Sequence, residues 1–230
     1  MKHVIDQDKV NKYSLFSNIG SITGLLILLG SVLLPVFVPE MSVLSAVLMV
    51  VGLGIAMVGI YFANRWVRKP RPETRLETVL KGLGEGYVLF HYPRLPVDHI
   101  LLTPAGLITL ETVNISGSFS YVGNKWKESM TIGRAIRYIV EEHLGDPNRA
   151  ALSSSAYIQE KIDHLEGLTT RVPVKPVVVF THPVVRLEVK QSAVPVCTAD
   201  KLRKQVTAGA AKIPQEDYDR VYAFLEKATR

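Results

Sequence analysis

The sequence predicts an α/β protein in two parts, a helical hairpin that crosses a membrane and a following α/β domain built on a mixed sheet. Three observations carry that prediction. Between Tyr13 and Asn64 only one residue, Glu40, is charged. The stretch that follows, 65–75, holds five basic residues against one acidic. Beyond it, short apolar strands alternate with helical spacings, as a helix-covered sheet requires.

The first part divides into two spans. Residues 19–38 and 43–63 are free of charge, and either one is long enough at 1.5 Å per residue to cross a bilayer core of about 30 Å. Pro39-Glu40-Met41-Ser42 makes the turn between them, with a proline that stops a helix. Lysines precede the first span, and Arg65, Arg68, Lys69 and Arg71 follow the second. The positive-inside rule therefore puts both termini on the cytoplasmic side of the cell membrane. Tyr13, Phe16, Tyr61, Phe62 and Trp66 all fall at that same interface, where amphipathic rings belong. Gly20 and Gly24 form a G-x-x-x-G pair, a spacing that suits close helix packing and offers a route to a homo-oligomer. The predicted organisation is a cytoplasmic arm over 1–18, a hairpin over 19–63, a basic linker over 64–72 and a cytoplasmic domain over 73–230.

Composition excludes several classes. The chain has 230 residues, a formal net charge of +6 and one cysteine, Cys197, so an internal disulfide framework is ruled out. Most of the positive excess sits beside the spans, and residues 76–230 are near neutral. Topology accounts for the basic character better than a strongly basic nucleic-acid surface does. The glycine run 82–86 follows a helical pattern and precedes a strand, the reverse of a dinucleotide fingerprint, and no Gly-Lys-Ser/Thr follows it.

Within the domain, Leu76, Val79, Leu80 and Leu83 have helical spacing over 73–83. Residues 87–91 read as a strand. Residues 97–102 and 107–113 read as a hairpin turned by Thr103-Pro104-Ala105-Gly106. Strands are expected at 118–122 and 125–132 and a helix at 134–144. Another helix is expected at 147–165, with Asp146 as its cap and Pro147 at its first position. The apolar run 175–181 predicts a central strand. Shorter strands at 184–189 and 194–196 and helices at 198–206 and 215–228 complete the chain.

That hairpin brings the chemistry into view. Asp98 opens one arm and Glu111 lies on the other, at positions that pair toward the same edge of one face. Two carboxylates held close repel, so they share a proton or a cation neutralises them. Glu77 on the preceding helix is a third oxygen donor. Such hard ligands suit a weakly held Mg2+ or Mn2+. The plainer alternative is a set of solvated surface carboxylates. His91 and His99 lie on different strands with no cysteine nearby, which fits ordinary hydrogen-bonded histidines. Strand alternation turns His99 away from Asp98.

The stretch VDHILLTPAGLITLETVNISG, residues 97–117, resembles the core of the nuclease-related domain (NERD) family. Such proteins show an Asp at a strand start, a T-P-x-G turn, a Glu-x-Lys-Asn strand end and a following Ser-Gly. Here those positions are Asp98, Thr103 to Gly106, Glu111, Asn114 and Ser116-Gly117. The resemblance spans roughly 73–210 and includes Glu77, Trp126 and the strand at 177–180. It implies a fold similar to the restriction-endonuclease-like PD-(D/E)XK nucleases, with Glu77, Asp98 and Glu111 as metal ligands. Asp98 and Glu111 would then be the catalytic carboxylates.

Two positions depart from that pattern. Val113 stands where the family has lysine, and residues two apart on a strand share a face, so the positive donor for phosphate charge is missing. The family's N-P-x-x-Q segment is Asp146-Pro147-Asn148-Arg149-Ala150 here. A lysine reaching across from Lys125 or Lys127 is the route by which the charge could return. The reading that follows is a membrane-tethered, catalytically impaired nuclease-related domain with a nucleic-acid-associated or scaffolding role. The alternatives are an active divalent-metal-dependent nuclease on DNA or RNA, and a membrane module whose partner is a protein.

Overall fold

The computed structural model describes residues 1–129, 143–207 and 211–230. Residues 134–142 of the helix expected at 134–144, and residues 130–132 of the strand expected at 125–132, lie outside those residues.

The chain forms two compact units. The first to be built is the hairpin. Helix α1 spans Gln7–Phe37, a short 3-10 turn covers Pro39–Met41, and helix α2 spans Ser42–Trp66. Both helices are long and apolar enough to cross a membrane. Their contact is made by small residues. A Cβ placed on Gly24 would lie 2.5 Å from the backbone nitrogen of Ala56, and one on Gly59 would lie 2.5 Å from that of Ser21. Gly20 packs against Gly59, so the G-x-x-x-G pair serves the hairpin's own closure. Ser17 Oγ donates to the Gly59 carbonyl at 3.1 Å, and Ser45 Oγ to that of Ser31 at 2.5 Å. These are the backbone approaches and interhelical hydrogen bonds that replace the hydrophobic drive within lipid. The ring of Tyr13 stacks on Trp66 at 4.9 Å and on Phe62 at 5.9 Å, which gathers the expected aromatic belt at one end.

The described residues of the second unit are 1–6, 72–129, 143–207 and 211–230. Its elements are β1 (Lys2–Ile5), α3 (Pro72–Leu80), β2 (Val88–His91), β3 (His99–Thr103), β4 (Gly106–Val113), β5 (Gly117–Val122), β6 (Lys125–Glu128), α4 (Pro147–Asp163), β7 (Val174–Phe180), β8 (Val185–Val189), β9 (Val196–Thr198), α5 (Ala199–Val206) and α6 (Gln215–Thr229). Six strands form one mixed sheet in the order β1-β2-β3-β4-β7-β9, and three form a second in the order β6-β5-β8. The mixed sheet is as expected; its separation from a smaller one, and strand β1, are additional.

The six-stranded sheet is covered on both faces. Leu76 and Leu80 of α3 and Leu202 and Val206 of α5 pack on Leu89, Leu101, Ile108, Leu110 and Val179. Ile158 and Ile162 of α4 and Val221 and Leu225 of α6 pack on Phe90, Ile100, Leu102 and Leu107. Double coverage explains why β3 and β4 read as nearly continuous apolar runs. A third cluster, including Val113, Phe119, Val178 and Phe180, joins the small sheet to the ends of β4 and β7.

Local chemistry sets the turns. In the β3–β4 turn, Thr103 Oγ1 donates to the Gly106 carbonyl and accepts from the Ala105 N–H. Gly106 has φ 123°, and a Cβ there would sit 2.5 Å from the Pro173 carbonyl oxygen. Only glycine meets both conditions. Asp146 caps α4 by accepting from the Arg149 N–H at 3.1 Å, with Pro147 at the first position. Asp217, fully buried, accepts from the backbone N–H and hydroxyl groups of both Thr169 and Thr170. This clamp ties the loop before β7 to the first turn of α6.

Strand β1 pairs in parallel with β2, Lys2 opposite Val88 and Ile5 opposite His91. The Met1 ammonium donates to the Leu83 carbonyl at 2.9 Å, and Lys2 Nζ donates to Tyr222 Oη. Residues ahead of the hairpin and residues beyond it thus share one sheet. A chain that crosses a membrane twice returns to the side it left, as this pairing requires.

Candidate functional site

The site is framed by the β2–β3–β4 ladder. His99 pairs with Leu110, so Asp98 and Glu111 stand opposite each other one position further along. The Asp98 carbonyl accepts from the Tyr92 N–H at 2.6 Å, which carries the ladder out to that point. Asp98 shares strand parity with Ile100 and Leu102, and Glu111 with Leu107 and Val113, which all pack toward α4 and α6 or the small sheet. The two carboxylate positions are therefore in register on one face, and both residues are half-buried.

Glu77 is placed differently. It lies on α3, which covers the opposite face, and its Oε1 is 3.4 Å from His91 Nε2. His91 in turn meets His99, Nδ1 to Nδ1, at 2.9 Å, and both imidazoles are buried. One Nδ1 carries the proton and the other accepts it. Tyr92 extends this buried polar layer by donating to Glu73 Oε2 at 2.8 Å. The structure thus joins Asp98 to Glu111 in register and aligns Glu77 with the histidines. Among the described residues, no group of three or more His, Cys, Asp or Glu is arranged to hold a metal ion. The two carboxylate positions still offer hard oxygen donors of the kind that Mg2+ or Mn2+ takes with water completing its shell.

The signal for the histidine pair was present in the spacing. With β2 and β3 antiparallel, a register that opposes Val88 and Leu102 also opposes His91 and His99. Alternation had turned His99 from Asp98, and the structure adds what it turns toward.

Val113 is 6% exposed and belongs to the apolar cluster of Ile115, Phe119, Val178 and Phe180. Lys125 and Lys127 do not replace the missing ammonium. Trp126 between them turns inward against Tyr121 and Phe180, at 5.1 and 5.5 Å between ring centres, and both lysines are exposed on the other face of the small sheet. Asn148, in the first turn of α4, is buried and donates to Ser192 Oγ at 2.9 Å.

A separate cavity of about 540 Å³ opens where β7 and β9 end, lined by Arg75, Thr181, Leu187, Thr198 and Lys201 among others. Arg75 Nη2 pairs there with Asp200 Oδ1 at 2.7 Å. Cys197, also on this wall, has its thiol pushed up to about 11 by burial, with Lys201 opposing.

Residues 71–181 match the family model described as the nuclease-related domain, NERD. The chain carries a nuclease-related-domain region. That region runs from α3 through β7 and includes Glu77, the Asp98–Glu111 register and Val113. Strands β8 and β9 and helices α5 and α6 continue the fold beyond it. No curated protein and no solved structure matches the chain. Residues 71–181 are thus similar to the nuclease-related domain, and two helices long and apolar enough to cross a membrane precede them.

Proposed function

We propose that this domain associates with nucleic acid at the cytoplasmic face of the cell membrane and turns over little or no phosphodiester. In this reading its scaffold is related to the PD-(D/E)XK nucleases and Asp98 and Glu111 hold a divalent cation weakly, while Glu77, on the opposite face beside His91, takes no part in holding it. The observation that carries it is Val113. An apolar side chain packed among Phe119, Val178 and Phe180 occupies the position from which a lysine would act, and it offers no charge to a developing phosphoryl oxyanion.

When bound, the ion would polarise phosphate and lower the pKa of a coordinated water. The chain's own residues supply the rest. Asp98 and Glu111 orient oxygen donors from two strands, and the apolar cluster around Val113 excludes water behind them. Nothing at Val113 stabilises the charge that cleavage creates. Loss of one such donor lowers rates by about 100- to 1000-fold elsewhere.

The test uses the full chain in nanodiscs, because β1 completes the sheet and a fragment starting at Pro72 would lack it. Manganese should raise the melting temperature of the natural protein through linkage, and Asp98→Ala with Glu111→Ala should abolish the shift. The natural protein should not cleave DNA or RNA, and Val113→Lys should introduce metal-dependent cleavage. Robust cleavage by the natural protein, abolished by Asp98→Ala, would instead favour an active nuclease. No cleavage and no nucleic-acid binding by either form would favour a protein partner. For orientation, a periplasmic reporter should be active in the 39–42 turn and silent at Arg230.

A further inference from the structure

We propose that the outer face of the three-stranded sheet docks a single strand of nucleic acid by its phosphate backbone. The inference rests on the nucleic-acid reading above and names the surface that serves it. In the small sheet Phe119, Tyr121 and Trp126 turn inward. The alternate positions turn out. Lys125 and Lys127 are exposed on β6, Arg186 and Glu188 on β8, and Lys190 just beyond it. Ser118 and Ser120 of β5 run between the two rows, opposite Arg186 and Glu188 on one side, with Ser120 also opposite Lys127 on the other. Lys190 Nζ lies 3.1 Å from Glu188 Oε1. Four cations and one carboxylate therefore share this face, for a local charge of +3 that the near-neutral total of the domain conceals.

Geometry selects the occupant. Neighbouring strands are about 4.8 Å apart, so the outer rows stand roughly 10 Å from each other with the serines as a floor. One sugar-phosphate chain laid along β5 meets both rows and both hydroxyls. A duplex presents two backbones across grooves of about 12 and 6 Å, and neither width equals the roughly 10 Å between the rows. The aromatic rings are turned inward, so bases find no stacking platform here, and binding is indifferent to base sequence.

The probe is a fluorescein-labelled, mixed-sequence DNA strand of about 20 nucleotides, added to the full chain in zwitterionic nanodiscs with EDTA present. With three or four phosphates neutralised, the logarithm of affinity should fall with that of salt at a slope of about −2 to −3. The triple variant Lys125→Glu, Lys127→Glu, Arg186→Glu should lose at least about tenfold in affinity and most of that slope. The triple glutamine variant should lose less and keep its fold if the glutamates disturb it. An equal charge change at exposed Lys175, Lys204 and Lys227 should leave binding nearly intact. Strand binding that survives the triple variants, or falls equally in the control, overturns the surface and leaves the broader reading standing. No strand binding by the natural chain overturns both. Tighter binding of a duplex, or a preference for anionic vesicles, overturns the proposed occupant.

Discussion

The hairpin and the domain bury opposite kinds of residue. In the hairpin the buried positions include Ser17, Gly24, Ser31, Gly52 and Gly59, while Leu25, Val36 and Phe37 are 65%, 71% and 78% exposed. In the domain the interior is Leu76, Leu101, Ile158 and Phe180, each 1% exposed or less. The difference follows from the medium. Water drives large apolar groups together, whereas lipid is as apolar as leucine and leaves close backbone approach to hold helices. Burial in this protein is thus set by what surrounds each unit.

Four substitutions, with three further ones as controls, would break or sharpen that contrast. The largest effect is expected from Gly24→Leu, because even the Cβ would lie 2.5 Å from the Ala56 backbone. The hairpin should open, read as loss of a disulfide engineered across α1 and α2. Gly30→Ala and Gly54→Ala, where nothing lies within 4 Å of a Cβ, should leave that cross-link intact. Next, Leu101→Ala should destabilise the domain by about 2–5 kcal/mol in urea unfolding. Val36→Ala, at a lipid-facing position, should leave that transition unmoved.

Asp217 sharpens the contrast through pH. The Thr170 hydroxyl first, then the Thr169 N–H, hold its carboxyl below the ordinary value of 3.8. A depressed pKa contributes stability that is present above the unfolded value and lost as pH falls through the folded one. The urea midpoint should therefore drop below pH about 4, and Asp217→Asn should flatten that part of the acid limb. The smallest effect belongs to Cys197. With its thiol near 11 instead of the usual 9.0, its contribution is full below about 9 and lost as pH rises toward 11. Alkylation at pH 8 should be slow in the folded protein, and Cys197→Ser should remove only the alkaline part of the stability profile.

Much of this was legible because its causes are local. The two spans, the aromatic belt, the Thr103–Gly106 turn and the Asp146–Pro147 cap rest on residues within a few positions of each other. The observed strands 99–103 and 106–113 differ from the expected arms by at most two residues. What escaped depends on distant partners. Strand β1 is four residues long with no period of its own, and its partner Val88 lies beyond the whole hairpin. The split into two sheets follows from β5 choosing β8, some 70 residues away. The Asp98–Glu111 register could be read from one hairpin, whereas the face that Glu77 meets depends on how α3 packs, which no spacing encodes. The reach of Lys125 and Lys127 depends on a sheet that no local spacing specifies, and Trp126, packed on Tyr121 and Phe180, decides their direction.

The pairing of β1 with β2 makes folding conditional on insertion. A molecule with only one helix through the bilayer would strand Lys2–Ile5 across the membrane from Val88–His91. Its sheet would then end at β2 with an open, unpaired edge, a surface that invites aggregation and quality control. Residues 2–5 thus find their place only after residues 88–91, on the far side of the hairpin in sequence, are available to pair. Their docking marks a molecule whose two crossings were both completed.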